Sequence, residues 1–368
     1  MNEKTQPCTH CGAVHPRVNL TWMGSAELCP ECLQRYTVCC DCCGERIWMA
    51  NDYGTHYLHL CASCRADNYV TCENCGALIP QEDAHYNDED EAYCDSCYER
   101  GYGGTIHNYS YKPEPIFYGD GPLYLGVELE VDEAGKDNIN AVQALRAFNQ
   151  ENVYGYVKSD GSLNDGFELV THPCTLETHL QQVPWRETLE ALRGMGYRSH
   201  APGTCGLHVH VSRKALGKDV YEQEETIAKL LYIFERFWQE ILRFSRRTES
   251  QINHWAARYG YKDRGEEILK EAKHGANGRY ACINLTNMDT IEFRVFRGTL
   301  KYNTVIATLQ FVANLCRVAI SLPEYRIQEF SWPALIEALT QDNCPELVQY
   351  LKERNLYVNE PVTAEREV

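Results

Sequence analysis

Residues 125–131 read LGVELEV, in which apolar residues alternate with a glycine and two glutamates. Successive side chains of a β-strand point to opposite faces of the sheet, so that residues two apart share a face. The four apolar side chains therefore share one face, and the two carboxylates, Glu128 and Glu130, share the other. This stretch predicts a strand that covers a core on one side and presents paired carboxylates on the other.

Four further stretches show the same two-faced pattern. Residues 207–211 (LHVHV) place two histidines opposite apolar residues, and residues 291–295 (IEFRV) place a glutamate and an arginine on one face. Residues 167–169 (FEL) present one glutamate, and a lysine and an aspartate share a face in residues 154–160. The ionisable side chains of these four stretches are Lys158, Asp160, Glu168, His208, His210, Glu292 and Arg294.

A solvated sheet face would explain any one of these strands, but the set as a whole favours a metal site. Like charges two residues apart on one strand repel each other unless a cation lies between them. Carboxylates with a histidine or two are suitable ligands for Mg²⁺ or Mn²⁺, and an arginine beside them suits a phosphoryl group. A two-histidine zinc site for hydrolysis is an alternative, but no third histidine lies at a suitable spacing, and the two glutamates of residues 125–131 would have no role.

The order of elements predicts the fold class. Strand patterns alternate with helical ones from residue 123 onward, including a long helix over 219–247 and another over 303–322. This pattern predicts an α+β fold with a curved, largely antiparallel sheet and flanking helices. We expect a catalytic domain over 123–325, C-terminal helices over 326–368, and a Gly-, Pro- and Tyr-rich linker over 101–122.

Residues 1–100 contain one cysteine module three times, with a period of 32 residues. Each copy has a Cys-x-x-Cys-Gly motif and, 17 or 18 residues later, a second Cys-x-x-Cys pair. This spacing predicts three closed Cys₄ zinc sites of structural type. The ligands would be Cys8, Cys11, Cys29 and Cys32; Cys40, Cys43, Cys61 and Cys64; and Cys72, Cys75, Cys94 and Cys97.

Other uses of these cysteines are iron in the same sites, or disulfides. The period and Gly44 favour Cys40 and Cys43 over the competing pair Cys39 and Cys42. The N-terminus has no apolar signal segment, and the remaining cysteines are scattered singly, as in a reducing compartment. We therefore expect a cytoplasmic, soluble protein without a membrane partner. The sequence pattern does not indicate an oligomeric state.

Charge argues against nucleic acid as a partner. The chain has a net charge of −17, and residues 1–107 hold 16 acidic residues against 6 basic ones. Because a phosphate backbone is bound by neutralising cations, the modules have the wrong sign for it. They would instead bind protein or peptide, or brace the next domain.

The common nucleotide-binding and hydrolase motifs are absent from the sequence. It contains no Gly-x₄-Gly-Lys-Ser/Thr, no Gly-x-Gly-x-x-Gly and no Gly-x-Ser-x-Gly. A P-loop, a Rossmann site and a nucleophile elbow are therefore not predicted.

Several blocks together resemble the amidoligases. They are GVELE (126–130), KSDGS (158–162), GFELV (166–170), CGLHVHV (205–211) and TIEFRVFRGTL (290–300). The resemblance covers about residues 123–325, with every block in the expected order. It implies a glutamine synthetase-like carboxylate–amine ligase fold.

The resemblance also implies an activity and a set of site residues. ATP would phosphorylate a substrate carboxylate, and an amine would displace phosphate to give an amide. Glu128, Glu130, Glu168, Glu292 and one of His208 and His210 would bind Mg²⁺ or Mn²⁺. Arg294 would contact phosphate; Lys158, Asp160 and Arg297 are further catalytic candidates, and Arg279 and Asn284 are candidates for nucleotide or substrate binding. Cys205 is expected to be a small buried residue.

Two other functions remain open. One is an ATP-dependent phosphotransferase on the same fold, and the other is a zinc-finger adaptor that binds proteins without catalysis. The acid and the amine are not identified: peptides, peptidoglycan fragments, polyamines and protein side chains would all serve.

Overall fold

The computed structural model describes residues 5–87, 90–99, 104–274 and 278–358. Residues 101–103 of the predicted linker and residues 359–368 of the predicted C-terminal segment lie outside this range. The chain divides into two units, residues 1–104 and 105–368.

The first unit repeats one small module three times. Each module has an antiparallel hairpin that carries the first cysteine pair and a short helix that contains the last cysteine of the second pair. The strands are β1 (Thr5–Pro7), β2 (Val14–Pro16), β3 (Thr21–Met23), β4 (Ala26–Leu28), β5 (Thr37–Cys39), β6 (Arg46–Trp48), β7 (Tyr69–Thr71), β8 (Leu78–Pro80), β9 (His85–Tyr86) and β10 (Ala92–Tyr93). The helices are α1 (Pro30–Tyr36), α2 (Ala62–Asn68) and α3 (Asp95–Glu99).

Backbone geometry explains the repeated sequence. Gly12, Gly44 and Gly76 have φ angles of +76°, +74° and +71°, a region in which side chains other than glycine are strained. Their N–H groups donate to the carbonyl oxygens of the first cysteine of each module, closing the turn. Cys29 and Cys61 are the N-caps of α1 and α2, where each sulfur accepts a backbone N–H from the cysteine three residues later.

Successive modules pack against each other. Trp48 of the second module contacts the buried cluster of the first, which includes Leu28. Leu78 of the third module in turn contacts the cluster of the second, which includes Leu60. Each cluster holds only a few buried residues, so each module needs its metal and its neighbours for stability.

The second unit is built on one seven-stranded sheet with the order β11-β13-β14-β12-β15-β17-β16. Every pairing is antiparallel except that between β11 and β13. The strands are β11 (Ile106–His107), β12 (Leu125–Val131), β13 (Gly155–Lys158), β14 (Phe167–Thr171), β15 (Leu207–Ser212), β16 (Ile283–Asn284) and β17 (Thr290–Phe293). Strand β11 lies within the range predicted as a linker.

Helices surround the core of this unit. They are α4 (Asn138–Phe148), α5 (Leu176–Gln181), α6 (Trp185–Gly194), α7 (Val220–Arg236), α8 (Trp238–Ser245), α9 (Glu249–Trp255), α10 (Gly265–His274), α11 (Tyr302–Ser321), α12 (Glu324–Gln328), α13 (Trp332–Leu339) and α14 (Pro345–Glu353). The apolar side chains of β12 are at most 1% exposed, and they belong to the same buried cluster as α7 and α11. Burying each such side chain contributes roughly 1.5–3 kcal/mol.

Helix α11 is the one described helix that is long and apolar enough to cross a membrane. Length and apolar composition alone are weak evidence for a membrane helix, and 83% of the apolar window of α11 is buried inside the structure. It contacts α5, α7, α13 and α14, as the central helix of a core does.

The predicted α+β class, with a largely antiparallel sheet, flanking helices and three small modules earlier in the chain, is confirmed. One helix differs from prediction. The helical pattern over 219–247 forms two helices, because the chain leaves helical geometry at Phe237, with φ −105° and ψ 35°. The second of them, α8, ends at Arg246, whose φ is +66°.

Candidate active site and zinc centres

Strand register brings the predicted acidic residues and histidines together. Lys158 pairs with Glu168 between β13 and β14, and Glu168 pairs with Glu130 between β14 and β12. On the other side of β12, Glu128 pairs with His208 of β15. Since directly paired residues point to the same face, these side chains form a continuous row.

The row continues to β17, where Glu292 pairs with His210. It therefore crosses five adjacent strands and lies opposite the apolar face. The shared register is what a period of two predicts for strands that each bury the other face.

At the centre of the row, two imidazoles lie among three carboxylates. His208 Nδ1 is 3.3 Å from Glu128 Oε2, 3.5 Å from Glu292 Oε1 and 3.8 Å from Glu130 Oε1. His210 Nε2 is 3.2 Å from Glu128 Oε1 and 4.0 Å from Glu292 Oε1. One ligand atom from each of Glu128, His210 and Glu292 lies within 4.8 Å of the other two, a spacing that one cation can bridge.

The row is buried, which makes its charges costly. Glu130, Glu168, His208 and Glu292 have side chains at most 5% exposed. An unpaired charge in such a place costs several kcal/mol. The side chains must therefore share protons or bind cations.

The pKa shifts show how the carboxylates respond. Burial raises the pKa of Glu168 well above its ordinary value, and the charge of Glu128 adds to this. Burial also raises the pKa of Glu130, although the nearby His208 opposes it. For Glu128, burial is outweighed by the charge of His210 and by the charge and hydrogen bond of His208, so its pKa is lowered. The imidazoles thus favour the ionised form of the carboxylate at the centre of the row, whereas burial favours the protonated form of the carboxylates towards β14.

A divalent cation fits this arrangement. His210 Nε2 is buried and has no hydrogen-bond partner among the described residues, because its approach to Glu128 lacks hydrogen-bond geometry. An unpartnered imidazole nitrogen between carboxylates matches the ligand chemistry of Mn²⁺, and the carboxylates suit Mg²⁺ as well.

Basic side chains flank the acidic row at both ends. Lys158 Nζ is 3.2 Å from Glu168 Oε2. At the other end Arg294 hydrogen-bonds Glu292, while its Nε is buried and without a partner in the described structure. The acidic row therefore has a basic side chain at each end.

Arg247 is a further basic residue of the site that the sequence patterns do not indicate. It is 6% exposed, its Nη2 donates to the carbonyl oxygen of Phe296 at 3.3 Å, and its Nε has no partner among the described groups. Burial lowers its pKa to about 10, and the charge of Glu130 opposes that effect. A buried guanidinium with a free donor next to the acidic row is a candidate contact for an anion.

The remaining predicted site residues have different surroundings. Asn284 donates to Glu292 Oε2 at 2.8 Å, so it orients a candidate ligand. Asp160 accepts hydrogen bonds from the backbone and hydroxyl of Ser162, as a turn residue does. Arg279 is close enough to Asp160 for that charge to raise its pKa, although its hydrogen bond to Tyr280 contributes more. Arg297 donates to the carbonyl oxygen of Arg246 at 3.5 Å.

Two small residues precede the histidine strand. A Cβ on Gly206 would lie 2.3 Å from His208 Nε2 and 2.9 Å from Arg247 Nη2, so only glycine fits there. The Gly206 N–H also donates to Glu130. Cys205 is buried, and burial raises the pKa of its thiol to about 12, which agrees with the expected structural role.

The predicted zinc ligands meet in three groups of four cysteines. All 19 cysteines are free thiols. Four sulfurs per group are the donor set of a closed structural zinc site, which zinc fits better than a hard cation does. Cys39 and Cys42 are exposed and outside these groups, as the period predicts.

One position in each module contacts the fourth cysteine. It is the residue before the second cysteine: His10 lies 3.8 Å from Cys32 Sγ, and Asn74 donates to Cys97 Sγ at 3.3 Å. In the second module Cys42 occupies this position, and after Cys61 and burial it also raises the pKa of the Cys64 thiol. Each site thus has a polar group next to one ligand sulfur, the usual way in which proteins orient and tune metal ligands.

Comparison with known proteins agrees with the sequence motifs. Residues 146–316 match the family described as "Putative amidoligase enzyme". The match confirms the resemblance to the amidoligases. The matched range begins after β12 and does not include Glu128 and Glu130, so their positions are known from the structure alone. No curated protein matches the sequence.

Two solved structures show a distant likeness. A bifunctional glutathione synthetase from Pasteurella multocida is similar over 63% of this chain and 46% of its own, at 15% identity and a TM-score of 0.31. A chain from the complex between prokaryotic ubiquitin-like protein Pup and its ligase PafA is similar over 63% of this chain and 62% of its own, at 10% identity and a TM-score of 0.29. The chain spans less than two thirds of either, and likenesses of this strength do not bear on its activity.

Proposed function

We propose that the second unit is an ATP- and divalent-cation-dependent ligase that joins a carboxylate to an amine. The single observation that carries this proposal is the buried row of carboxylates and imidazoles, with basic side chains at both of its ends. Glu128, His208 and Glu292 lie at its centre, and Lys158 and Arg294 flank it.

The row offers ligands for more than one cation. Glu128, His210 and Glu292 would hold one, and the more buried Glu130 and Glu168 would contribute to another. Bound Mg²⁺ or Mn²⁺ would neutralise the charge of the nucleotide phosphates. The family match to amidoligases supports this use of the row over a purely structural one.

The chain's own residues would then support two chemical steps. A carboxylate oxygen of the substrate attacks the terminal phosphorus of ATP, giving an acyl-phosphate and ADP. Arg294 and Lys158 would donate hydrogen bonds to the oxygens of the transferring group, where negative charge develops. The amine nitrogen next attacks the acyl carbon, the C–O bond to phosphate breaks, and amide and phosphate leave.

The second step releases a proton from the attacking amine. A buried carboxylate with a raised pKa would accept it when ionised, because the raised pKa makes it a stronger base. Glu168 has such a pKa when it holds no cation. Its position at 3.2 Å from Lys158 would keep the amine and the phosphate close to each other.

The zinc modules would contribute binding rather than catalysis. Their sites are closed, so they leave no open coordination position for a substrate. We propose that they bind protein or peptide or support the ligase unit. Their thiolate ligands need a reducing environment, which supports a cytoplasmic location.

The test is ADP release in the presence of Mg²⁺ across amino acids, glutamyl peptides and polyamines offered in pairs. Active pairs are then analysed by mass spectrometry for an amide. We expect Glu128→Gln and Arg294→Gln to abolish the activity and the exposed Glu222→Gln to retain it. No ATP turnover with any pair, or turnover that survives both active-site changes, would refute the proposal. A stable phosphorylated acid without amide would instead indicate a phosphotransferase.

A further inference from the structure

A cleft with a volume of about 940 Å³ lies in the second unit. It is formed by one face of α6, one face of α14 and the beginning of α11. Ligand sites typically have volumes of about 300–1,000 Å³. Among its lining residues are five permanently charged cations: Arg186, Arg193, Arg246, Lys301 and Arg354. None of them contacts the acidic row in the described structure.

Helix periodicity places the two basic residues of α6 in the cleft. Arg186 and Arg193 are two turns apart, and the lining residues Leu189 and Glu190 lie one turn from each. Residues spaced by three, four and seven share one face of a helix. Arg186 is held over the ring of Tyr302, with its guanidinium carbon 4.0 Å from the ring centre, so its charge is directed into the cleft.

The lining side chains give the cleft a positive potential in a chain of net charge −17, because five cations face the three carboxylates Glu190, Glu346 and Glu353. Glu353 lies 2.8 Å from Lys301 Nζ, so these two charges offset each other. Glu346 accepts a hydrogen bond from Gln310 at 2.8 Å and keeps its charge. The potential also affects His200: burial lowers the pKa of this lining residue, and the charges of Arg297, Arg246 and Arg354 lower it further.

Helix α11 adds to this potential. Its 20 residues begin at Tyr302 in the cleft, no side chain caps its first turn, and that turn contains no acidic residue. The uncapped N–H groups and the helix dipole favour a negative group near this end. The adjoining Arg246 also has a buried Nε without a partner among the described residues.

We propose that this cleft binds a peptide segment that bears two or more carboxylates. This proposal deepens the proposed function, because the acidic peptide would be the acyl donor of the ligase. Only that assignment as acyl donor rests on the proposed function. A peptide fits better than a compact polyphosphate, because Glu190, Glu346 and Glu353 would repel a dense anion. A peptide can place its carboxylates at Arg186, Arg193 and Arg354 and its backbone against Asn303 and Gln349.

The lining of the cleft is close in sequence to the candidate active site. Thr299, Leu300 and Lys301 line the cleft, and they follow Arg294 by five, six and seven residues. This segment connects the cleft to β17, whose Glu292 belongs to the acidic row.

The test is direct binding of a fluorescein-labelled tetraglutamate peptide to the zinc-loaded protein without ATP, followed by fluorescence anisotropy. Tetraglutamine with the same label is the matched control peptide. We expect tetraglutamate to bind and tetraglutamine not to bind. In Arg186→Gln with Arg193→Gln the Kd should rise about tenfold, since exposed charge contacts contribute modestly. Lys218→Gln with Arg264→Gln, which removes two exposed cations outside the cleft, should leave the Kd unchanged.

Three outcomes would overturn the inference. They are no difference between the two peptides, equal binding by the two double variants, or displacement by tripolyphosphate at lower concentration than by unlabelled tetraglutamate. The last result would mark the cleft as a phosphate site. Thermal unfolding of each variant checks that the fold is intact. Glu128→Gln should retain peptide binding but lose ADP release, which separates failure of this inference from failure of the proposed function.

Discussion

Glu128 lies directly opposite His208 on the neighbouring strand, and its Oε2 is 3.3 Å from the imidazole Nδ1. The carboxylate also approaches His210 through its other oxygen, at 3.2 Å. One glutamate therefore connects both histidines of the LHVHV strand. Because both partners favour its ionised form, Glu128 has a lowered pKa while its neighbour Glu168 has a raised one.

This difference predicts opposite effects of Glu168→Gln on stability and on function. A carboxyl group whose folded-state pKa is raised contributes its stabilisation below its unfolded pKa and loses it as the pH rises through the folded value. At neutral pH Glu168 therefore destabilises the folded protein, and replacing it should stabilise the metal-free protein by about 1 kcal/mol. The same change should weaken Mn²⁺ binding at least tenfold, because a carboxylate of the row is lost.

Thermal unfolding of the metal-free second unit and calorimetric titration with Mn²⁺ measure the two effects. Glu222→Gln, on the exposed surface of α7, is the matched control and should change neither. A lower unfolding temperature for Glu168→Gln would show that the pairing of Glu168 with Lys158 outweighs repulsion from the other carboxylates.

A second prediction concerns Gly206. An added Cβ would lie 2.3 Å from His208 Nε2, so Gly206→Ala must displace the imidazole or the strand. We expect ADP release to fall by at least about tenfold, since small displacements of catalytic groups are costly. Gly194→Ala is the control, because its Cβ would meet no atom within 4 Å. Full activity in Gly206→Ala would show that His208 has no role in the reaction.

The acidic row could be predicted from sequence because its geometry is local. A period of two fixes the face of each side chain, and an apolar face on each strand fixes the register. The zinc ligands could be predicted for a similar reason, since two residues between cysteines set the distance between their sulfurs. Both predictions depend on short spacings and on no distant contact.

The position of Arg247 could not be predicted in this way. It lies at the end of a helical pattern, where its direction depends on Arg246 in a left-handed conformation with φ +66°. Nothing in the local sequence requires that conformation. The edge strand β11 was missed for a related reason: two residues, Ile106 and His107, carry no periodicity, and only their pairing with β13 makes them a strand.

Arg247 gives the third prediction. Its guanidinium is buried near Glu130 and keeps an unpartnered Nε, so Arg247→Gln should impair the use of ATP. We expect the KM for ATP to rise about tenfold or more, the usual scale for losing one charge-assisted contact. Arg264→Gln, an exposed change on the same unit, should leave the KM unchanged. An unchanged KM in Arg247→Gln would limit Arg247 to balancing the charge of Glu130.

The fourth prediction tests the zinc modules by metal content. Mass analysis of the purified protein should return about three zinc ions per chain, because each closed site has four thiolates. Cys40→Ser should reduce this number by one, since Cys40 is buried within the second group of four. Cys39→Ser removes the neighbouring exposed thiol and should leave all three ions bound. If Cys39→Ser loses an ion and Cys40→Ser does not, the second site uses the other pair of cysteines, and the 32-residue period does not define the ligands. If the purified protein holds one ion or none, the Cys₄ assignment itself is wrong.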